Sequence, residues 1–324
     1  MCASVVGLTV GLCALVWLTL WVGSPSVRPG EALAALTDPG HPARVPVWEV
    51  RLPRTLLGVL CGGALAVSGL LLQDVLRNPI AGPELLGVSS GAAVVMAAVV
   101  VLGLGVPVAV LPTAALVGAL AAGALVLLAI GRTRAPDHVA LVGAAVSAAC
   151  GGLVVAVVGL GTQGNVVVLF RYLLGSLAAR TWVHVEAVLP WVVAGVLVAA
   201  LLRRRVETLT LGDDVAAGLG VAVARSRVLA VLVAAVLAAA VASVCGPIAF
   251  VALLAPHLAR RLLDSVSTRE VFWTTTALGA VLLVLADLVS RTLLYPVELP
   301  VGIATTLVGV PALLLVLRSR VRVA

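Results

Sequence analysis

Continuously apolar runs of about 20 residues recur along the whole chain, and that length is what a helix needs to cross a bilayer. Inside lipid, only helices and closed barrels satisfy every backbone donor and acceptor. Barrel strands alternate apolar and polar residues, and these runs do not alternate. The chain therefore reads as an all-α, polytopic membrane protein. Its 62% hydrophobic and 11% charged content agrees, since about a quarter of a soluble domain is charged.

Candidate spans are 3–22, 54–72, 85–106, 108–130, 139–160, 183–202, 226–243, 246–260, 271–292 and 300–317. The ambiguous part is the charge-free run 228–256, long for one helix and short for two. A reversal at Cys245-Gly246-Pro247 would divide it. Arginine placement decides between the two counts, because all 21 basic residues are arginine. With ten crossings and the N-terminus inside, arginines 77, 132, 134, 203, 204, 205, 225, 227, 260, 261, 269, 318, 320 and 322 are cytoplasmic. Arginines 28, 44, 51, 54, 171, 180 and 291 are outside, so the split is fourteen to seven. Nine crossings would give nine inside and twelve outside. The excess of arginine on cytoplasmic loops favours ten spans with both termini cytoplasmic. The eighth span is then short or partly re-entrant, which lipid permits only where protein covers its ends. The first run lacks a basic leader and a convincing cleavage site, so it reads as a retained helix. Residues 1–324 read as a single transmembrane domain, with a faint internal echo between NPIAGPELLG (78–87) and GPIAFVALLAP (246–256).

The net charge of +7 reflects those loop arginines rather than a nucleic-acid partner. A chain without lysine cannot carry the lysine of a P-loop, and no HExxH or GxSxG motif occurs. His41, His138, His184 and His257 are scattered and read as solvated or interfacial, so neither a metal nor a cofactor is expected. Cys2, Cys13, Cys61, Cys150 and Cys245 form no CxxC pair and read as packed free thiols. Asp287 and Glu186 fall near span ends, as interfacial anchors would. Ion-coupled carriers keep ionisable groups near the bilayer centre, which makes a secondary transporter the runner-up and an enzyme the weakest reading.

Two polar stretches interrupt the pattern. In RNPIAGPELLGVSSG (77–91), Pro79 and Pro83 remove backbone donors and disfavour helix just before them. Gly82, Gly87 and Gly91 permit unusual φ and close approach. A helix should end near 73–76 and the chain re-enter near Glu84, with Ser89, Ser90 and Gly91 as a small packing face. The stretch is an ordinary turn or a constriction beside a pathway, where irregular backbone is tolerated. In TLTLGDDVAAGLGVAVARSR (208–227), Asp213 or Asp214 can cap a short helix. Leu211, Val215 and Leu219 form one apolar stripe, and Gly220 suits the stop. That helix lies on the bilayer surface or docks a soluble partner.

Taken together, RLPRTLLGVLCGGALAVSGLLLQDVLRNPIAGPELLGVSSGA (51–92) and five later segments resemble the FecCD-type permeases. The segments are YLLGSLAARTW (172–182), LGDDVAAGLGV (211–221), GPIAFVALLAPHLARRL (246–262), GAVLLVLADLVSR (279–291) and ELPVGIATTLVGVPALLLVL (298–317). The family comprises membrane subunits of ABC importers for ferric siderophores, haem and vitamin B12. The resemblance implies the type II importer architecture, with ten helices per subunit and a plasma-membrane location. It implies a homodimer or related heterodimer with the pathway at its interface, two cytoplasmic ATPase subunits, an extracytoplasmic binding protein, and no chemistry in this chain. Leu211, Gly212, Asp213, Asp214, Ala217, Gly218, Leu219 and Gly220 would form the ATPase-coupling helix. Arg51, Arg54 and Arg291 would receive acidic residues of the binding protein. Asn78, Pro79 and Ile80 would form the cytoplasmic gate. Ferric siderophore is the expected cargo, with haem or vitamin B12 as alternatives.

Overall fold

The computed structural model describes residues 2–23, 26–130, 136–263, 268–294 and 297–321. Arg132, Arg134 and Arg322, part of the charge count above, lie outside them. All regular secondary structure among the described residues is helical, without strands. In chain order the helices are α1 (Cys2–Trp21), α2 (Pro29–Thr37), α3 (Leu52–Val75), α4 (Val88–Val101), α5 (Leu111–Ile130), α6 (Pro136–Val158) and α7 (Gln163–Leu173). Then come α8 (Trp182–Thr210), α9 (Asp213–Gly218), α10 (Val223–Cys245), α11 (Val251–Leu263), α12 (Thr268–Thr292) and α13 (Val301–Val321). A π-helical turn at Val45–Arg51 leads into α3, and a single 3₁₀ turn, Pro83–Leu86, precedes α4.

Six segments are long and apolar enough to cross a membrane: Val45–Val75, Leu111–Ala129, Leu141–Val158, Trp182–Thr210, Val223–Cys245 and Arg269–Thr292. Val6–Trp21, Val88–Val101, Gly164–Leu173 and Val301–Leu313 are shorter apolar helices. Most sequence-derived spans find a helix, and α2, α7 and α9 lie outside them.

Helix α3 is the hub, buried almost throughout and packed by α8, α10, α11 and α12. Lipid tails are as apolar as leucine, so close packing has to come from small residues and interhelical hydrogen bonds. Gly62 of α3 faces Gly279 of α12, and a Cβ on either would run into the other's backbone. Gly91 of α4 meets Gly118 of α5 in the same way, so of the small face expected at 89–91 it is Gly91 that packs a helix. Ser68 donates to the Ala234 carbonyl at 2.8 Å and Tyr172 to that of Ala242 at 2.6 Å.

The apolar run 228–256 breaks where the sequence offers a break. Helix α10 ends at Cys245, Gly246 takes φ 73° and Phe250 takes φ 68°. Helix α11 has only 13 residues, about 20 Å at 1.5 Å per residue. Its start is covered by protein: an added Cβ at Gly69 of α3 would strike the Ala252 carbonyl. Of the two stretches that echo each other in sequence, 78–87 lies between α3 and α4, while 246–256 holds the break after α10 and the first turns of α11, and Gly82 lies against Leu253.

Two expectations need correction. His184 and His257 are buried rather than solvated, at 6% and 4% exposure. His184 closes a capping box with Thr181, and His257 Nδ1 lies 2.8 Å from the Leu253 carbonyl. Asp287 is a buried ion-pair partner rather than an interfacial anchor. Two thiols that stand far apart in sequence, Cys61 and Cys245, lie 3.5 Å apart where α10 ends against α3.

Candidate functional site: two charged ends and a cavity

Ionic groups gather at the two ends of α3. From Arg54 to Asp74 the helix rises about 30 Å, the thickness of a bilayer's hydrocarbon.

At the first end, Arg54 is held between two carboxylates. Its Nε donates to both Asp287 oxygens at 2.9 and 3.1 Å, and its Nη1 donates to Glu298 Oε2 at 2.9 Å. Arg51 donates to the Leu20 carbonyl and Arg291 to that of Thr19, each at 2.9 Å. The structure thus brings all three predicted docking arginines to one end, but not as exposed rim charges. They are 3%, 6% and 9% exposed, and the chain's own acceptors hold them. Burial forces that arrangement, since an unpaired charge out of water costs several kcal/mol. Glu298 is the accessible member, with its side chain 45% exposed. Nearby, Arg44 stacks over Trp48, and Trp182 donates to the Trp48 carbonyl.

At the second end, Asp74 pairs with Arg260 at 2.6 Å, and Arg260 also donates to Gln73 at 3.0 Å. Helix α3 stops at Val75, as its sequence suggests, and Arg77 follows in the left-handed region at φ 48°. The Asn78 carboxamide oxygen then accepts the Ile80 N–H at 3.0 Å, and the Asn78 main-chain carbonyl accepts that of Ala81. Asn78 and Pro79 are half-buried, and Ile80 is 53% exposed at the tip of this turn.

Helix α9 sits beside it. Gly212, not an aspartate, is its N-cap, with φ 118°. Asp213 does something the sequence reading missed. It accepts from Arg227 Nη2 at 2.9 and 3.1 Å and pairs with Arg77. Arg77 Nε also donates to the Leu209 carbonyl at 3.0 Å. One carboxylate therefore ties α9 to the start of the 77–83 turn and to α10. Acid and base lie 136 residues apart in the chain, so no local pattern signals the pairing. The stripe of Leu211, Val215 and Leu219 faces outward, 62%, 50% and 63% exposed. Gly220, at φ 80°, ends the segment as expected. An added Cβ at Gly218 would meet nothing within 4 Å.

A cavity of about 380 Å³ opens among the broken segments. Its walls come from the broken segments: Glu84 and Ser89 after the turn, Leu173 and Leu174 ending α7, Pro247 to Ala249 between α10 and α11, and the start of α13. Three glycines let these backbones meet. A Cβ on Gly175 would strike the Pro247 carbonyl, one on Gly246 that of Tyr172, and one on Gly302 that of Leu174. Among the described residues no cluster of three or more His, Cys, Asp or Glu could hold a metal.

An apolar helical bundle, with charged clusters at the two ends of its hub helix and broken helices around a cavity, is a membrane transport protein in class. Residues 11–319 match the FecCD transport family, and the chain belongs to that family as a multi-pass permease of ABC import systems in the bacterial plasma membrane. It is 34% identical over 318 residues to the Fe(3+)-citrate import system permease protein YfmE of Bacillus subtilis, covering 97% of this chain and 94% of that one. It is 35% identical over 309 residues to the Fe(3+) dicitrate transport system permease protein FecD of Escherichia coli, covering 95% and 96%. A solved structure described as an inward-facing conformation of a metal-chelate type ABC transporter superposes with TM-score 0.85, 26% identity and coverage of 97% and 98%.

Proposed function

We propose that this permease passes ferric chelates, siderophore complexes above all, through a pathway that it forms with a second permease subunit. The cited relatives are iron-chelate import permeases by name, and the cavity offers a mostly apolar passage rather than a tight polar site. Ten crossings with both termini cytoplasmic put α9 and the 77–83 turn inside, and Arg54 with Glu298 outside. Two cytoplasmic ATPase subunits then drive transport through α9, and an extracytoplasmic binding protein delivers the chelate to the Arg54 end. ATP hydrolysis belongs to those separate subunits.

The observation that carries this reading is the outward apolar stripe of α9, tied through Asp213 and Arg77 to the turn at Asn78, Pro79 and Ile80. A helix that offers leucine and valine to the aqueous side needs a partner's cleft. Its ionic tie gives the partner's motion a route to the turn that would narrow the pathway. Arg51, Arg54 and Arg291 serve docking from beneath the surface, with Glu298 holding the position that a binding protein's carboxylate takes on Arg54.

The test is uptake of radiolabelled iron by iron-starved cells with and without this gene, one chelate at a time. Loss of uptake for one siderophore class fixes function and cargo. Unchanged uptake over a siderophore panel, with loss for haem or cobalamin, moves the cargo and keeps the importer.

A further inference from the structure

One arginine at the Arg54 end of α3 has donors and no oxygen to receive them. Leu177 lies against Gly58, one turn along α3 from Arg54, and Trp182 stands beside Trp48, so the loop that joins α7 to α8 sits at that end. Ala179, held at φ 56°, turns the chain into Arg180, which is half-buried. Nearby, Arg44, Arg51, Arg54 and Arg291 each donate to an oxygen of this chain. Arg180 takes part in none of the ion pairs between described residues, and its Nε is buried with no partner among them. Its Nη1 lies 3.4 Å from Nε2 of His184. The capping box decides what that contact is. His184 Nδ1 accepts the Thr181 N–H at 3.3 Å, so the ring carries its one hydrogen on Nε2. Two donors therefore face each other, and the imidazole that holds one of them is 6% exposed. Buried donors almost always find an acceptor, and leaving one without costs stability. A guanidinium and an imidazole N–H that converge on no oxygen are the donor half of an oxyanion site.

We propose that Arg180 and His184 receive a carboxylate, carried on an acidic side chain of the binding protein that docks at this end. The inference rests on the importer reading and adds a docking contact that the buried arginines do not supply. A guanidinium matches both oxygens of a carboxylate, and the imidazole N–H adds a donor already held in place by the cap. The surroundings suit a protein partner. Trp48 and Trp182 have ring centroids 5.4 Å apart, Arg44 stacks on Trp48 at 4.8 Å, and Thr181 is exposed beside Arg180. Tryptophan and arginine are the side chains that protein interfaces favour.

The test starts with the full permease chain alone in nanodiscs, so that it depends on no partner. Binding of carbon-13 acetate is read from the saturable broadening of its NMR line. Arg180→Gln should weaken that binding about tenfold, the scale of a charge-assisted pair, and Arg180→Lys, which keeps the charge without the fork, should recover part of it. In the absence of acetate, Arg180→Gln should be at least as stable to heat as the parent, because it removes donors that the fold leaves unpaired. Equal saturable broadening with arginine and with glutamine, or early loss of folded Arg180→Gln, overturns the site.

The binding protein is then titrated onto the permease. Arg180→Gln should weaken docking about five- to tenfold, more at low salt where screening is weak. Unchanged docking despite a working acetate site overturns the proposed occupant and gives the site to a free carboxylate, such as one borne by the chelate. Acetate binding that depends on Arg180, with no docking of any binding protein, would remove the importer reading and leave the oxyanion site standing.

Discussion

Arg54 shows how far one side chain's environment can depart from its place in the sequence. In RLPR it looks like a loop cation, yet its guanidinium lies buried between Asp287 and Glu298. Its two acids therefore answer differently to substitution. Asp287→Ala leaves a buried arginine without its carboxylate, at a cost of about 3–5 kcal/mol, and should show as early loss of folded protein in detergent thermal-shift measurements. Glu298→Gln removes only the exposed half of the arrangement. It should leave stability nearly unchanged and tighten docking of the binding protein about two- to fivefold, more at low salt where screening is weak. Docking affinity that ignores Glu298 at low salt would take Arg54 out of the interface. Reversing Arg51 or Arg54 to Glu is a poorer experiment, because each is buried and the fold would suffer first. Gly62 is the apolar counterpart. Gly62→Leu pushes a side chain into the Gly279 backbone, and overpacking of this kind costs about 1–3 kcal/mol, measurable as reduced folded yield.

Among the elements, α9 was the most legible and also the one read incompletely. Its limits follow from glycine chemistry: Gly212 and Gly220 both take positive φ, which disfavours any other residue there. The leucine–valine stripe repeats at helical spacing, so its shared face is visible in the sequence. Hidden from the sequence is the destination of Asp213, because a cap and a long-range ion pair use the same residue type. The three-way tie of Asp213 with Arg77 and Arg227 is a property of the fold. It predicts that Arg77→Ala, Asp213→Ala and the double variant share one defect. Each single change should lower iron uptake per ATP hydrolysed about tenfold, with hydrolysis itself within about twofold. The double should be no worse than either single, as residues acting through one contact are non-additive. Losses that multiply in the double would mean that the two residues act separately.

At the scale of the whole molecule, continuous apolar runs gave the helical class, and Cys245-Gly246-Pro247 marked where the long run 228–256 could reverse. Four features stayed hidden for physical reasons. Helices α2 and α7 are short and partly polar, so they have no span-like signature. Cys61 meets Cys245, and Gly62 meets Gly279, only because α3 sits at the centre of the bundle. The cavity is likewise assembled from four distant breaks. The coupled motion expected of the importer is tested at the same scale, through α9. Gly218 faces open space, where an added Cβ would meet nothing within 4 Å, so a tryptophan there is rooted without a clash and stands in the way of what docks on it. Gly218→Trp should leave the purified permease as stable as the parent, weaken its hold on the ATPase subunits and abolish ATP-dependent iron uptake in proteoliposomes. Leu219→Asp should do the same by placing a charge on the apolar stripe. Full uptake with the tryptophan in place would show that the ATPases engage another surface. Uptake by the purified chain without any ATPase would instead establish the ion-coupled carrier.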